Sequence, residues 1–89
     1  MRPSDLHPDQ IRYRTPEEVS ALLGPPTVSS VRGMATLWEY RGKDCPLFLS
    51  FYPEVPGNKL RLFGIETEGG ISLPACLGRW RDQGQDHGK

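Results

Sequence analysis

The first cluster of apolar residues along the chain has the spacing of an amphipathic helix. Thr15, Pro16 and Glu18 precede it as a capping box, in which Thr15 is the N-cap and Glu18 reaches back to it. Gly24 and the two prolines after it block continuation, so the helix is predicted to end at about Leu23. The apolar residues on one face of this helix are Val19, Leu22 and Leu23.

Four segments with strand character follow this helix, and turn residues separate them. Gly33 and Met34 give a tight reversal between the first two segments, and Gly42 opens the next turn. Such short connections join neighbouring antiparallel strands, so the middle of the protein is predicted to be an antiparallel meander. The predicted strands are 28–32, 35–41, 47–52 and 60–67.

Alternation along these strands divides their side chains between two faces. The expected register places Leu62 opposite Leu49. It also sets Leu60 beside Phe51. Both helices are expected to cover the face defined by these pairs. The other strand residues assigned to that face are Trp38, Tyr40 and Leu47.

The second face is unusually apolar for a surface left in water. If both helices pack on the first face, the second is exposed and forms a patch typical of partner surfaces. The alternatives are that a helix, the N-terminal arm or a homodimer mate covers it. Its polar members are Glu39, Ser50 and Arg61. The predicted partner-binding residues are Leu37, Phe48, Tyr52, Phe63 and Ile65.

The pattern divides the chain into an irregular N-terminal arm over 1–14, a single domain over 15–81 and a flexible tail over 82–89. A second helix is predicted from about Ser72, with Pro74 in its first turn. The fold class is therefore α+β: an antiparallel three- to four-stranded meander with a short N-terminal and a short C-terminal helix packed on one face.

Charge and hydropathy narrow the classes of partner. Lysine plus arginine and aspartate plus glutamate each number 11, so no bulk field attracts nucleic acid or an anionic membrane. No apolar run approaches the roughly 20 residues that span a bilayer. The first residues, Met1 to Asp5, lack the apolar core of a signal peptide.

Cys45 and Cys76 are compatible with one disulfide between the start of the third strand and the last helix. Closing a loop of about 30 residues contributes roughly 3.5 kcal/mol in the chain-entropy model. Two buried free thiols are the alternative, and metal ligation is a third, less favoured because no C-x-x-C pair is present.

Few residues of the sequence have side chains in a pattern that could support catalysis. His7 and His87 both fall in segments expected to be mobile, and no nucleophile or metalloprotease motif is present. Glu66 and Glu68 share one face of a strand end, where charged pairs are most often solvated surface. We therefore expect no enzyme activity, no metal site and no cofactor.

Two short runs, 12–14 and 79–81, each place an aromatic ring between two arginines, an arrangement used to stack nucleic-acid bases. Neither run is dense enough to overcome a net charge of zero, so Trp80 is expected to pack on the sheet with its arginines in solvent. Nucleic acid is not an expected partner.

The segment 22–26, Leu-Leu-Gly-Pro-Pro, followed after a strand by Trp38-Glu39-Tyr40, resembles the SmpA/BamE-like family of small bacterial envelope lipoproteins. The resemblance covers roughly Thr15 to Ile65 and implies helices on one face of an antiparallel sheet. The secreted β-lactamase inhibitor proteins look similar in fold, and they bind an enzyme across an open sheet face. No lipobox cysteine stands at the start of this chain.

A narrower set of features looks closest to short proteobacterial proteins with a cysteine pair. These features are Tyr40-Arg41, Cys45, the strand to Tyr52 and Cys76. The apolar second face, the cysteine pair and the missing active site indicate a non-enzymatic interaction module. The expected location is the periplasm or cell envelope, with the cytoplasm as the alternative. Two other functions stay open: an inhibitor or immunity-type protein that blocks an enzyme, and a redox- or metal-responsive protein that uses its cysteines.

Overall fold

The computed structural model describes residues 5–42 and 45–85. A 3-10 turn over Pro8–Gln10 and helix α1 over Pro16–Leu23 come first, and helix α2 over Leu73–Gln85 comes last. One antiparallel sheet separates them, and the predicted α+β class is confirmed. Its strands are β1 (Val28–Arg32), β2 (Ala35–Tyr40), β3 (Leu47–Pro53) and β4 (Leu60–Thr67).

Helix α1 begins with the predicted capping box. The Glu18 carboxylate accepts a hydrogen bond from the Thr15 backbone N–H at 3.0 Å, and the Glu18 N–H donates to Thr15 Oγ1 at 3.3 Å. The bond from the Thr15 N–H favours the charged carboxylate and lowers the pKa of Glu18. Gly24 ends the helix at φ +88°, a conformation that a residue without Cβ adopts readily.

The strands lie in the order β1-β2-β3-β4, as a meander requires. Arg32 pairs with Ala35 around a two-residue turn, and Gly33 has φ +59°, the sign that the first position of a type II′ turn needs. Both helices pack on one side of the sheet, which we call the inner face; the opposite side is the outer face. The fully buried residues of the core include Val19, Leu23, Tyr40, Leu47, Leu49, Phe51, Leu62 and Leu77.

The expected register between β3 and β4 is wrong. The structure pairs Phe51 with Leu62 and Leu49 with Ile65, and a β-bulge at Phe63 separates the two pairs. One extra residue in β4 shifts every later side chain of that strand to the other face relative to strict alternation. Ile65 therefore packs against the core instead of lying on the outer face.

The N-terminal arm is part of the packed structure. Ile11 is fully buried, and the Leu6 N–H donates to the carbonyl of Pro74 at 3.0 Å, which ties the arm to the start of α2. The predicted tail also begins later than expected, because α2 continues past Arg81 to Gln85. The rest of the predicted tail, 86–89, lies outside the described residues.

The predicted disulfide is confirmed. Cys45 and Cys76 are bonded with their Cα atoms 5.9 Å apart, and both are buried. Trp80 covers the bond: its Nε1 donates to the Cys45 carbonyl at 3.0 Å, and its ring lies 5.2 Å from that of Tyr40. The disulfide thus fixes the C-terminal helix to the start of β3.

Candidate interaction surface

The outer face carries most of the residues predicted to bind a partner. Leu37, Phe48 and Tyr52 lie there by strand pairing, and Phe63 joins them from the bulge. Tyr52 and Phe63 are 45% and 44% exposed, although they are large apolar side chains. In the part of the chain that the structure describes, both helices lie on the inner face and leave this side without a helical cover.

Tyr13 is a further member of this surface that sequence reasoning missed. Its ring meets Phe63 edge-on at a centroid distance of 5.3 Å, and Phe63 meets Tyr52 at 6.0 Å. Edge-to-face contacts of this kind stabilise aromatic pairs beyond the area they bury. We call the set of Tyr13, Leu37, Phe48, Tyr52 and Phe63 the outer-face patch.

Backbone hydrogen bonds hold Tyr13 against the sheet. Its N–H donates to the Leu62 carbonyl at 2.7 Å, and the Leu62 N–H donates to the carbonyl of Arg14 at 2.9 Å. Arg61 also donates from Nη1 to the Tyr13 carbonyl at 3.3 Å. Tyr13 has φ +71°, a region that costs a non-glycine residue about 1 kcal/mol or more, and these hydrogen bonds hold its backbone in that conformation.

A shallow depression of about 260 Å³ lies on the outer face beside Leu37 and Phe48. Small residues produce it, since Ser30 and Ser50 flank Leu37 in one row across the sheet. Gly64 continues that row opposite Ser50. The depression has the size to receive an apolar side chain of a partner, which is how interfaces anchor their strongest contacts.

Charges around the patch are of both signs and are largely paired. Arg61 Nε lies 3.4 Å from Glu54 Oε1, and Arg41 Nε lies 2.9 Å from Glu39 Oε2. Both pairs are at the rim and partly exposed, so each contributes little stability. The apolar and aromatic groups, and not a dominant charge, define this surface.

Among the described residues, those considered for catalysis lie in different elements, His7 in the N-terminal arm and Glu66 in β4. His7 caps the 3-10 turn and accepts a long hydrogen bond from the Asp9 N–H at 3.4 Å, while His87 lies outside the described residues. Glu66 lies on β4 opposite Phe48, at the edge of the outer-face patch. Within 5–42 and 45–85 no cluster of histidine, cysteine or acidic residues has the geometry to hold a metal.

None of the helices in the described residues combines the length and apolar character needed to cross a membrane. Comparison of the chain with models of known protein families, with curated proteins and with solved structures gave no match. The SmpA/BamE-like resemblance therefore stays a prediction.

Proposed function

We propose that the protein is a non-enzymatic protein–protein interaction module, a small accessory protein or subunit of the bacterial envelope that docks through its outer face. The single observation that carries this proposal is the outer-face patch. Three of its members, Tyr13, Tyr52 and Phe63, are 58%, 45% and 44% exposed, and neither helix covers this face of the sheet. Aromatic side chains are enriched at the centres of protein interfaces, because they bury much area for little lost conformational freedom.

Preorganisation supports the same proposal. Binding costs less when the contact residues are already ordered, since fewer side chains have to be immobilised. Tyr13 is held at its backbone by Leu62 and Arg61, and its ring supports Phe63. The patch therefore offers pre-ordered aromatic side chains beside a depression of about 260 Å³.

The proposed envelope location rests on the buried disulfide between Cys45 and Cys76. Structural disulfides persist in oxidising compartments, whereas cytosolic thiols are kept reduced. A partner in this setting is another envelope protein that presents an apolar side chain to the depression near Leu37 and Phe48.

The test purifies the protein with its stoichiometric partner from the native host and measures affinity for the double variant Phe48→Ser/Phe63→Ser. We expect binding to weaken at least tenfold, because apolar contacts at the centre of an interface are each worth about 1 to 2 kcal/mol or more. Val55→Ser is the matched control, since Val55 is 85% exposed in the turn between β3 and β4 and lies outside the patch.

Near-ultraviolet circular dichroism of the Tyr40 and Trp80 environment confirms that the double variant stays folded. Unchanged affinity in a folded double variant would sink the proposal. If the partner is an enzyme and one molar equivalent of this protein abolishes its activity, the protein is an inhibitor. That second candidate function rests on the same open sheet face.

A further inference from the structure

The two edges of the sheet differ in how they are protected. At the β4 edge, the arm pairs with Leu62 through backbone hydrogen bonds from Tyr13 and to Arg14. At the other edge, β1 pairs only with β2 among the described strands, and all its residues after Val28 are exposed. An uncovered edge strand is a template for pairing with another strand.

The hairpin turn determines which backbone groups of β1 point to that open side. Arg32 and Ala35 flank a two-residue turn and are therefore a hydrogen-bonded pair. Hydrogen-bonded and non-hydrogen-bonded pairs alternate along an antiparallel ladder. The N–H and C=O groups of Ser29 and Val31 consequently point away from β2.

We propose that β1 pairs antiparallel with β1 of a second copy of this chain, with Ser30 on the two-fold axis. In that register each Ser29 lies opposite Val31 of the second copy. These are the residues whose backbone groups point outwards, so both exchange their hydrogen bonds and the two sheets become one continuous sheet. This interface adjoins the outer-face patch, because Ser30 pairs with Leu37 and borders the depression.

Side chains on the inner face agree with this register. Val31 is 72% exposed in the single chain. Ser29 pairs with Trp38, so Val31 of the second copy, opposite Ser29, lies in the row that leads to Trp38. Trp38 borders a groove of about 530 Å³ whose apolar lining includes Pro16 and Pro26. Pairing moves two exposed valines towards these two grooves and removes apolar surface from water.

The charges on the outer face also agree with the proposed antiparallel register. Arg32 is the one charged residue of β1, and the two-fold register places it opposite Val28 of the second copy and not opposite another arginine. Val28 pairs with Glu39 on β2. Arg32 therefore extends towards a carboxylate, whereas a parallel pairing of the two strands would set the arginines side by side.

The first measurement is sedimentation equilibrium of the full chain from low micromolar to millimolar concentration. We expect the mass to rise from 10.0 kDa towards twice that value. Amide hydrogen exchange of Ser29 and Val31 should slow as the dimer forms, because these N–H groups gain partners. A monomer throughout the range overturns the proposal.

The two-fold axis gives a sharper test, because a residue on it meets itself. Ser30→Lys and Ser30→Asp should each weaken dimerisation about fivefold, since like charges then lie directly opposite each other. An equimolar mixture of the two variants should form a heterodimer at least as tight as the wild-type dimer.

Val55→Lys and Val55→Asp are the matched controls, because they add the same charges at an exposed turn residue away from β1. They should leave the dissociation constant unchanged. If Ser30→Lys alone dimerises as well as the wild type, or if mixing with Ser30→Asp restores nothing, the copies associate through another surface and the proposal is wrong.

Discussion

Tyr40 joins the end of α1 to the sheet through a single side-chain hydrogen bond. Its ring is fully buried, and its hydroxyl donates to the carbonyl of Gly24 at 2.8 Å. Burial disfavours the phenolate and raises the pKa of Tyr40 above its ordinary value of 10.0. One residue thus links helix termination, core packing and the response of the fold to pH.

We expect Tyr40→Phe to lower the free energy of unfolding by about 1 kcal/mol at pH 7, since the Gly24 carbonyl loses its donor. Above pH 10 the unfolded state of the wild type releases the Tyr40 proton and the folded state keeps it, so wild-type stability falls as pH rises. The variant lacks this loss. The difference in unfolding free energy between the wild type and Tyr40→Phe should therefore become smaller from pH 7 to pH 11. Urea unfolding measures it.

Tyr52→Phe is the matched control, because Tyr52 is exposed on the outer face. Its free energy of unfolding should equal that of the wild type at pH 7 and should fall as much as that of the wild type above pH 10. A Tyr40→Phe protein that loses stability above pH 10 as steeply as the wild type would contradict the assigned burial effect.

For single residues, the sequence predicted the cysteine pair and the side of the sheet on which Trp38 and Tyr40 lie, because both depend on local alternation and spacing. Tyr13 could not be predicted in the same way. Its position depends on hydrogen bonds to Leu62 and Arg61, which are distant in the sequence, and no periodic pattern surrounds it.

The β-bulge in β4 is the element that decides which residues form the outer face. Phe63 is the extra residue, and Gly64 follows it opposite Ser50. A Cβ at Gly64 would lie 2.9 Å from Ser50 Oγ, closer than such atoms approach in proteins. The absence of a side chain at Gly64 therefore lets β3 and β4 pair closely at the bulge.

We expect Gly64→Ala to cost about 1 kcal/mol of unfolding free energy, because the Ser50 side chain must move or the strands must separate. Thermal unfolding measures the loss. Gly70→Ala is the control, since nothing lies within 4 Å of a Cβ built there. Equal melting temperatures for Gly64→Ala and Gly70→Ala would show that the close approach at Gly64 has no energetic consequence.

Helix α1 and the strands were predicted with nearly their observed bounds, because their ends carry strong local signals such as Thr15, Gly24 and Gly33. The face of Ile65 was predicted wrongly because strict alternation does not hold through Phe63 and Gly64. The expected partner of Leu62 was also wrong, by two residues of β3, and this error lies on the turn side of the bulge. A glycine inside a strand is itself a signal of a bulge. Gly64 is such a glycine, and a bulge beside it places Ile65 in the core.

For the whole molecule, the disulfide compensates for small size. A chain of 89 residues buries a modest share of its unfolded surface, and its net stability is expected to be near the low end of the usual 5 to 15 kcal/mol. Cys45 and Cys76 are 31 residues apart and connect the sheet to α2. This cross-link restricts the unfolded chain more than any local contact does.

Reducing the Cys45–Cys76 bond should therefore lower the free energy of unfolding by about 3.5 kcal/mol, the loop-closure contribution for a loop of this length. The measurement compares urea unfolding of oxidised and reduced wild-type protein, with free thiols counted in denaturant. Both samples have the same side chains, so the difference isolates the cross-link. A reduced protein as stable as the oxidised one would mean that noncovalent contacts, among them the packing of Trp80 and Leu77, hold α2 in place, and the fold would then not depend on an oxidising compartment.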